Sequence, residues 1–311
     1  MWRRPGTSLL AVILGSVLPC LQPSAATGTA VEAKTVNGTA VAQKAPAGPT
    51  LSIALSRDGN TIAMGAPGES SSAVGIGGSQ ENNAAAAGSG AVHVFIRRGG
   101  TWSQQAYVKA SNTSAGDAFG ISVSLSSDGN TLAVGAYLED SPGTGINGNQ
   151  GGIADNNANA GAVYVFTRNS DAWSQQAYVK ASNTHSNAYF GHAVSLNGDG
   201  NTLAVGAAGE NTGGLNSGAA YVFTRSASVW SQQARVKACN TVPAGGFGSF
   251  VALSGDGNTL EVGGSAGAAA AGMKGRQAAD GTGKAGPVHV FARSTGTWLA
   301  TGQCERVQPQ R

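Results

Sequence analysis

Charge is the first thing this sequence has little of. Only 11% of the 311 residues are charged, and the net charge at pH 7 is +3. So small and scattered a charge argues against a nucleic-acid-binding protein. Hydrophobic residues make up 41% of the chain, whereas disordered chains carry more charge and fewer apolar residues. Leu, Glu and Lys, which favour long helices, are also scarce. With 48 glycines, the composition favours an all-β fold of short strands and many turns.

Cysteine is rare as well, with Cys20, Cys239 and Cys304 as the only three. Residues 1–26 have the features of a signal peptide: basic residues, an apolar run shorter than a transmembrane helix, and the small residues Ser24-Ala25-Ala26 before a cleavage point. We expect Cys20 to leave with it, although Leu18-Pro19-Cys20 leaves lipidation open. The other two cysteines occupy comparable places in successive repeats, which favours free thiols over a strain-free disulfide. The sequence therefore predicts a secreted or cell-surface protein, periplasmic or extracellular, with no transmembrane segment in the mature chain.

No enzyme constellation is recognisable. The four histidines show no metal-type spacing, and no Ser/His/Asp set is marked by its sequence context. We therefore predict no catalytic residues, no metal ligands and no cofactor.

An internal repeat dominates the chain. The stretch from Trp102 to Asn112 recurs unchanged at Trp173, with two changes at Trp230, and in outline at Trp298. The turn Asp-Gly-Asn-Thr also recurs four times, and Asp-Gly between apolar runs is a strong hairpin signal. A period near 70 residues is too long for a solenoid and indicates repeated four-stranded sheets.

Each repeat can be divided into strands A to D. In the second copy we expect strand A at 119–125, B at 131–136, C at 161–168 and D at 173–181. Strand C is apolar on both sides, so it must lie between two other layers. The Trp at the start of strand D favours packing between sheets over carbohydrate stacking. The predicted organisation is a signal peptide at 1–26, a linker or closing strand at 27–49, repeats at 50–113, 114–184, 185–241 and 242–303, and a tail at 304–311.

Two short motifs accompany the strands. Phe119-Gly120 opens strand A and Gly135-Ala136 closes strand B, and both recur in later copies. The chain therefore resembles the FG-GAP repeat of integrin-α-type β-propellers, in a bacterial secreted form. This resemblance implies a β-propeller of about four four-stranded blades and extracellular adhesion. Four blades can close a ring, but an open or incomplete array is also compatible with the sequence.

The calcium-binding loop of that family has several Asp residues, and here it is shortened to Ser127-Asp128-Gly129-Asn130 and its equivalents. One carboxylate cannot supply the six to eight oxygen ligands that calcium prefers. We therefore expect no calcium in these turns.

Two sets of charged residues recur in register at the A–B turns. Each Arg at the end of strand C should lie near the Asp of its own A–B turn, which predicts a structural ion pair; an anion- or glycan-binding ring is the alternative. The residues are Asp58, Asp128, Asp199, Asp256, Arg97, Arg168, Arg225 and Arg293.

A second set of polar residues lies in the B–C loops, at the opposite end of the strands. Three Glu residues follow strand B at the same interval, and carboxylate and amide oxygens suit a hard cation or sugar hydroxyls. The candidate ligand-binding residues are Glu69, Glu139, Asp140, Glu210, Asn211 and Asp155.

The sequence thus predicts a non-catalytic interaction or adhesion module that binds an extracellular protein or glycan through one face. Two alternatives remain open. The first is a polysaccharide-active hydrolase or lyase with Glu residues facing a central opening, and the second is a purely structural surface protein.

Overall fold

The computed structural model describes residues 52–81, 84–151, 158–238, 243–264, 271–272, 275–276 and 288–301. The signal peptide, the segment 27–49, the three cysteines, Asp155 and the tail all lie outside these ranges. The described part is all-β and consists of four four-stranded antiparallel sheets and one short hairpin. None of its residues belongs to a helix that could span a membrane.

Each sheet consists of four consecutive strands, except that a hairpin interrupts the last one. Sheet 1 contains β1 (Ser52–Leu55), β2 (Thr61–Ala66), β3 (Ala91–Arg98) and β4 (Thr101–Val108). Sheet 2 contains β5 (Ser122–Leu125), β6 (Thr131–Ala136), β7 (Ala162–Asn169) and β8 (Ala172–Val179). Sheet 3 contains β9 (Phe190–Leu196), β10 (Thr202–Ala207), β11 (Ala219–Ser226) and β12 (Val229–Val236). Sheet 4 contains β13 (Phe250–Leu253), β14 (Thr259–Gly263), β17 (Val288–Ser294) and β18 (Thr297–Ala300), and the hairpin pairs β15 (Ala271–Gly272) with β16 (Gly275–Arg276).

The core lies between successive sheets. Tyr164 and Phe166 of β7 belong to the apolar cluster shared with sheet 1, whereas Val163 and Val165 belong to the cluster shared with sheet 3. All four side chains are completely buried. Strand C is therefore buried on both faces, as the sequence predicts, and the sheets pack face to face like the blades of a propeller.

The recurring glycines lie where the backbones of two sheets meet. A Cβ atom on Gly135 would lie 2.0 Å from the carbonyl oxygen of Gly191 in the next sheet. Gly191 itself has φ +88°, a conformation that favours glycine. Phe190, beside it, packs edge-on against Tyr221 and Phe223 of its own sheet. The Phe-Gly and Gly-Ala pairs of the repeat thus form the contact between neighbouring sheets.

The four sheets form an open arc. Strands β1, β5, β9 and β13 contact one another in succession, and within the described residues no comparable contact joins β1 to β13. The two end faces retain exposed apolar side chains, including Ile53 and Leu55 on sheet 1 and Phe250 on sheet 4.

Candidate functional site

In each A–B turn the aspartate accepts hydrogen bonds from residues of the same turn. Asp128 accepts hydrogen bonds from Ser126 Oγ at 2.5 Å, from Asn130 N at 3.0 Å and from Asn130 Nδ2 at 3.0 Å. The turns at Asp58 and Asp256 have the same bonds, whereas Asn197 replaces Ser in the turn at Asp199. The hydrogen bond from Ser56 lowers the pKa of Asp58 below its usual value. These carboxylates therefore hold the turn in shape.

The predicted Arg–Asp ion pair is replaced by a contact through asparagine. Arg168 Nε donates to Asn130 Oδ1 at 2.9 Å, because the strand register pairs the Arg168 N–H with the Asn130 carbonyl at 2.8 Å. Its guanidinium also lies over the Trp173 ring, 5.4 Å from the centroid. The other three copies repeat both contacts, at Arg97, Arg225 and Arg293. In the described residues none of these arginines forms an ion pair with the Asp of its turn.

This arrangement connects neighbouring sheets. Gln105 Oε1 accepts hydrogen bonds from Arg168 Nη1 at 3.0 Å and from Trp173 Nε1 at 2.9 Å of the next sheet. Gln176 accepts the equivalent pair from Arg225 and Trp230. The Trp-Ser-Gln-Gln stretch is thus part of the scaffold, and the Arg set is committed to structural contacts.

The B–C loops and the D–A connections lie together at the opposite ends of the sheets, which we call the loop face. Here Glu139 is buried and contacts Lys180, with Oε2 2.6 Å from Nζ. Its other oxygen, Oε1, accepts hydrogen bonds from Asn112 Nδ2 at 2.8 Å, from Tyr178 OH at 2.9 Å and from Ser141 N at 3.2 Å. Both carboxylate oxygens are therefore occupied by groups of the protein.

The other two glutamates are in the same situation. Glu69 lies 2.7 Å from Lys109 Nζ and Glu210 lies 2.5 Å from Lys237 Nζ, and both glutamates are buried. Burial is the largest single effect and raises the pKa of Glu69, but the hydrogen bonds from Lys109 and Ser71 and the charge of Lys109 together outweigh it, so the net shift is downward. The sequence suggested these three glutamates as ligand-binding residues, whereas in the structure each is buried beside a lysine, because buried carboxylates need paired cations and hydrogen-bond donors. They do not face one another across an opening, and they are not free for a ligand.

The remaining candidates lie close by. Asp140 Oδ1 accepts a hydrogen bond from Asn159 N at 2.6 Å, and Asn211 Oδ1 accepts one from Asn216 N at 2.8 Å. Asp155 lies outside the described residues.

A polar cavity of about 200 Å³ lies on the loop face between sheets 1 and 2. The connection from β4 to β5 supplies one wall, and the loop from β6 to β7 supplies the other. It is lined by Asn112, Thr113, Ser114, Asp117, Glu139, Asp140, Ser141 and Gln150. The structure therefore brings Glu139 and Asp140 together in one cavity, whereas Glu69, Glu210 and Asn211 lie elsewhere.

Asp117 is the unusual member of this lining. The residue is only 2% exposed, and its Oδ2 atom accepts a hydrogen bond from Ser114 N at 2.9 Å. No described residue donates a hydrogen bond to its Oδ1 atom. Burial raises the pKa of Asp117 to about 8, and the charges of Glu139 and Asp140 act in the same direction. The cavity thus has an acceptor-rich, acidic wall.

Sequence reasoning missed Asp117, although the repeats contain a signal for it. Two residues before the Phe-Gly pair, the second sheet has Asp117, whereas the third has Ala188 and the fourth has Gly245. A buried acid at a position that is otherwise small marks a difference between copies.

Comparison with known protein families finds a match within the repeats. Residues 102–166 and 173–223 match the model of the FG-GAP repeat. Each matched stretch begins at an outer strand and continues into the next sheet. No curated protein matches the chain.

Among solved structures, the chain is similar to the periplasmic gluconolactonase of Pseudomonas aeruginosa, with a TM-score of 0.46 and 17% sequence identity. The match covers 84% of this chain and 58% of that chain. The family match agrees with the Phe-Gly and Gly-Ala contacts between the sheets, and over these two stretches the chain is similar to FG-GAP repeat proteins.

Proposed function

We propose that this protein is a secreted or cell-surface interaction module that binds an extracellular protein or glycan through its loop face without catalysing a reaction. The observation that carries the proposal is the polar cavity at the junction of sheets 1 and 2, with Asp117 in its wall. Binding sites on repeat scaffolds concentrate in the connections on one face. An acceptor-rich wall selects ligands with hydrogen-bond donors, such as sugar hydroxyls or a primary ammonium group.

The absence of catalysis is supported by the chemistry of the glutamates. An acid–base pair needs carboxyl groups that can reach the substrate and exchange protons. Glu69, Glu139 and Glu210 are buried and paired with lysines. Of the three, Glu139 alone lines the cavity, and both of its carboxylate oxygens are held by groups of the protein.

The experiment is a screen of the purified protein against a glycan array and a set of extracellular proteins, with a parallel turnover assay on polysaccharides. We expect binding without turnover, and we expect Asp117→Ala to weaken the strongest interaction at least about tenfold, which is 1.4 kcal/mol. Asp117→Ala is a suitable probe because Ala188 is buried at the same position of the next sheet.

The matched control is Asp171→Ala, at an exposed acid in the turn between β7 and β8. A triple Ala variant of the glutamates does not serve, because it would leave the buried Lys109 and Lys180 and the half-buried Lys237 without their partners. Turnover of a polysaccharide that is lost in Asp117→Ala would contradict the proposal and indicate an enzyme. Absence of binding to both the glycan array and the extracellular proteins would indicate a structural role.

A further inference from the structure

The B–C loops of sheets 1 and 2 return along the outer strands of their own sheets. In sheet 1 the Lys109 N–H donates to the Gly75 carbonyl at 2.7 Å, and the Gly77 N–H donates to the Tyr107 carbonyl at 2.9 Å. Ile76 lies between them and forms an antiparallel bridge with Val108. The loop thus pairs with the outer edge of the sheet through one isolated bridge and the two hydrogen bonds beside it.

Sheet 2 has the same arrangement. The Lys180 N–H donates to the Gly145 carbonyl at 2.8 Å, and the Asn147 N–H donates to the Tyr178 carbonyl at 2.7 Å. Ile146 forms the antiparallel bridge with Val179. In both sheets the added segment is uncharged, and its Ile lies between two residues with positive φ: Gly75 (67°) and Gly77 (76°) in sheet 1, Gly145 (68°) and Asn147 (54°) in sheet 2.

Sheet 3 lacks this segment. Its B–C connection, residues 208–217, is short and folds into turns beside β10 and β11. The outer strand β12 is the edge of its sheet, and in the described part of the chain nothing bonds the Lys237 N–H or the Arg235 carbonyl. Arg235 is exposed, whereas its counterparts Tyr107 and Tyr178 are buried. Among the described residues, the edge formed by residues 235–237 at the end of β12 is therefore unpaired.

The charge of this edge also differs between the copies. In sheets 1 and 2 one lysine balances one glutamate, at Glu69–Lys109 and Glu139–Lys180. In sheet 3 both Arg235 and Lys237 contact Glu210, with Arg235 Nη1 at 3.5 Å. The open edge therefore carries one positive charge in excess.

We propose that residues 235–237, at the end of β12, bind a short segment of a partner protein, which pairs with the edge of sheet 3 as the segments at Ile76 and Ile146 pair with sheets 1 and 2. The segment has Ile or Val between small residues, like the chain's own segments at Ile76 and Ile146, and a carboxylate that pairs with Arg235. Main-chain hydrogen bonds supply affinity in such strand addition, and side chains supply specificity. This site lies on an outer edge, away from the cavity at Asp117, and is independent of the proposed function.

The test uses capped peptides and backbone amide hydrogen exchange on the intact protein. The first peptide has the sequence of residues 143–149, and the second carries Asn147→Asp. In the free protein we expect the Lys237 amide to exchange much faster than the amides of Lys109 and Lys180, which are internal references. Each peptide should protect the Lys237 amide about tenfold or more at saturation, and the acidic peptide should bind more tightly.

The matched control is the first peptide with an N-methyl group on the nitrogen of Asn147, which removes the donor to the Arg235 carbonyl and leaves the protein unchanged. The variant Arg235→Tyr restores the residue of sheets 1 and 2 and should abolish the preference for the acidic peptide. Equal binding of the N-methylated peptide would overturn the proposal, as would a Lys237 amide that is already protected in the free monomer. Protection that rises with protein concentration alone would assign the edge to a second copy instead and would also overturn it.

Discussion

Lys180 and Glu139 form a completely enclosed ion pair on the loop face, with 2.6 Å between Nζ and Oε2. The pair connects the end of β8 to the loop that follows β6. Removal of one partner leaves a buried charge without compensation, whereas replacement of both partners is often tolerated.

The first prediction concerns this pair. Lys180→Met should lower the free energy of unfolding by about 3–5 kcal/mol, and the double variant Glu139→Gln/Lys180→Met should regain most of that loss. Denaturant unfolding measures both. The control is Asp171→Asn, which breaks the exposed pair with Arg98 and should change stability by less than about 1 kcal/mol. A Lys180→Met variant as stable as wild type would show that the pair does not support the fold.

The second prediction is a pH dependence that arises from Asp117. The folded protein holds the pKa of Asp117 at about 8, well above the usual value of an aspartate, so ionisation opposes folding. The stability should therefore fall as pH rises from about 4 to about 8, with a contribution of up to about 1.4 kcal/mol per pH unit. Thermal unfolding of wild type and Asp117→Asn across this window isolates the contribution. Parallel curves for the two proteins would contradict it.

The third prediction compares two adjacent glutamines in β8. Gln176 accepts hydrogen bonds from Arg225 and Trp230 of sheet 3, so Gln176→Ala leaves both donors unpaired and should cost about 1–3 kcal/mol. Gln175 Oε1 is buried without a hydrogen-bond partner, so Gln175→Ala should cost clearly less. Equal losses in denaturant unfolding would mean that the hydrogen bonds between sheets contribute little.

The fourth prediction concerns Glu261, which is exposed on sheet 4. Sheets 1 to 3 have Ala63, Ala133 and Ala204 at this register, all completely buried between sheets. Glu261→Ala leaves the apolar side chains Phe250, Val288 and Leu299 without a nearby charge, and charged residues discourage association of exposed sheets. We expect this variant to self-associate at lower concentration than wild type in sedimentation experiments. Unchanged sedimentation would show that Glu261 does not limit association.

The fold was predictable because every copy repeats the same physical solution. The Phe-Gly and Gly-Ala pairs, the two apolar faces of strand C and the Trp at strand D all correspond to contacts between sheets. The sequence left a closed ring and an open arc as alternatives, because no residue pattern indicates whether β1 contacts β13.

The site was harder to predict. Regular spacing drew attention to Glu69, Glu139 and Glu210, yet their lysine partners come from the outer strand, about 27 to 41 positions later in the chain. The same spacing predicted an Arg–Asp pair, whereas the strand register aligns Arg168 with Asn130. Asp117 was missed because it is not repeated. In this chain the repeated residues build the scaffold, and the differences between copies mark the candidate sites.

The measurement that tests the central claim most directly is the affinity of the strongest ligand from the screens for wild type and Asp117→Asn at pH 6 and pH 9. An ionised Asp117 accepts hydrogen bonds more strongly, so wild type should bind more tightly at pH 9, while Asp117→Asn should bind weakly at both values. Equal affinities of the two proteins at both pH values would contradict the assignment of ligand binding to this cavity.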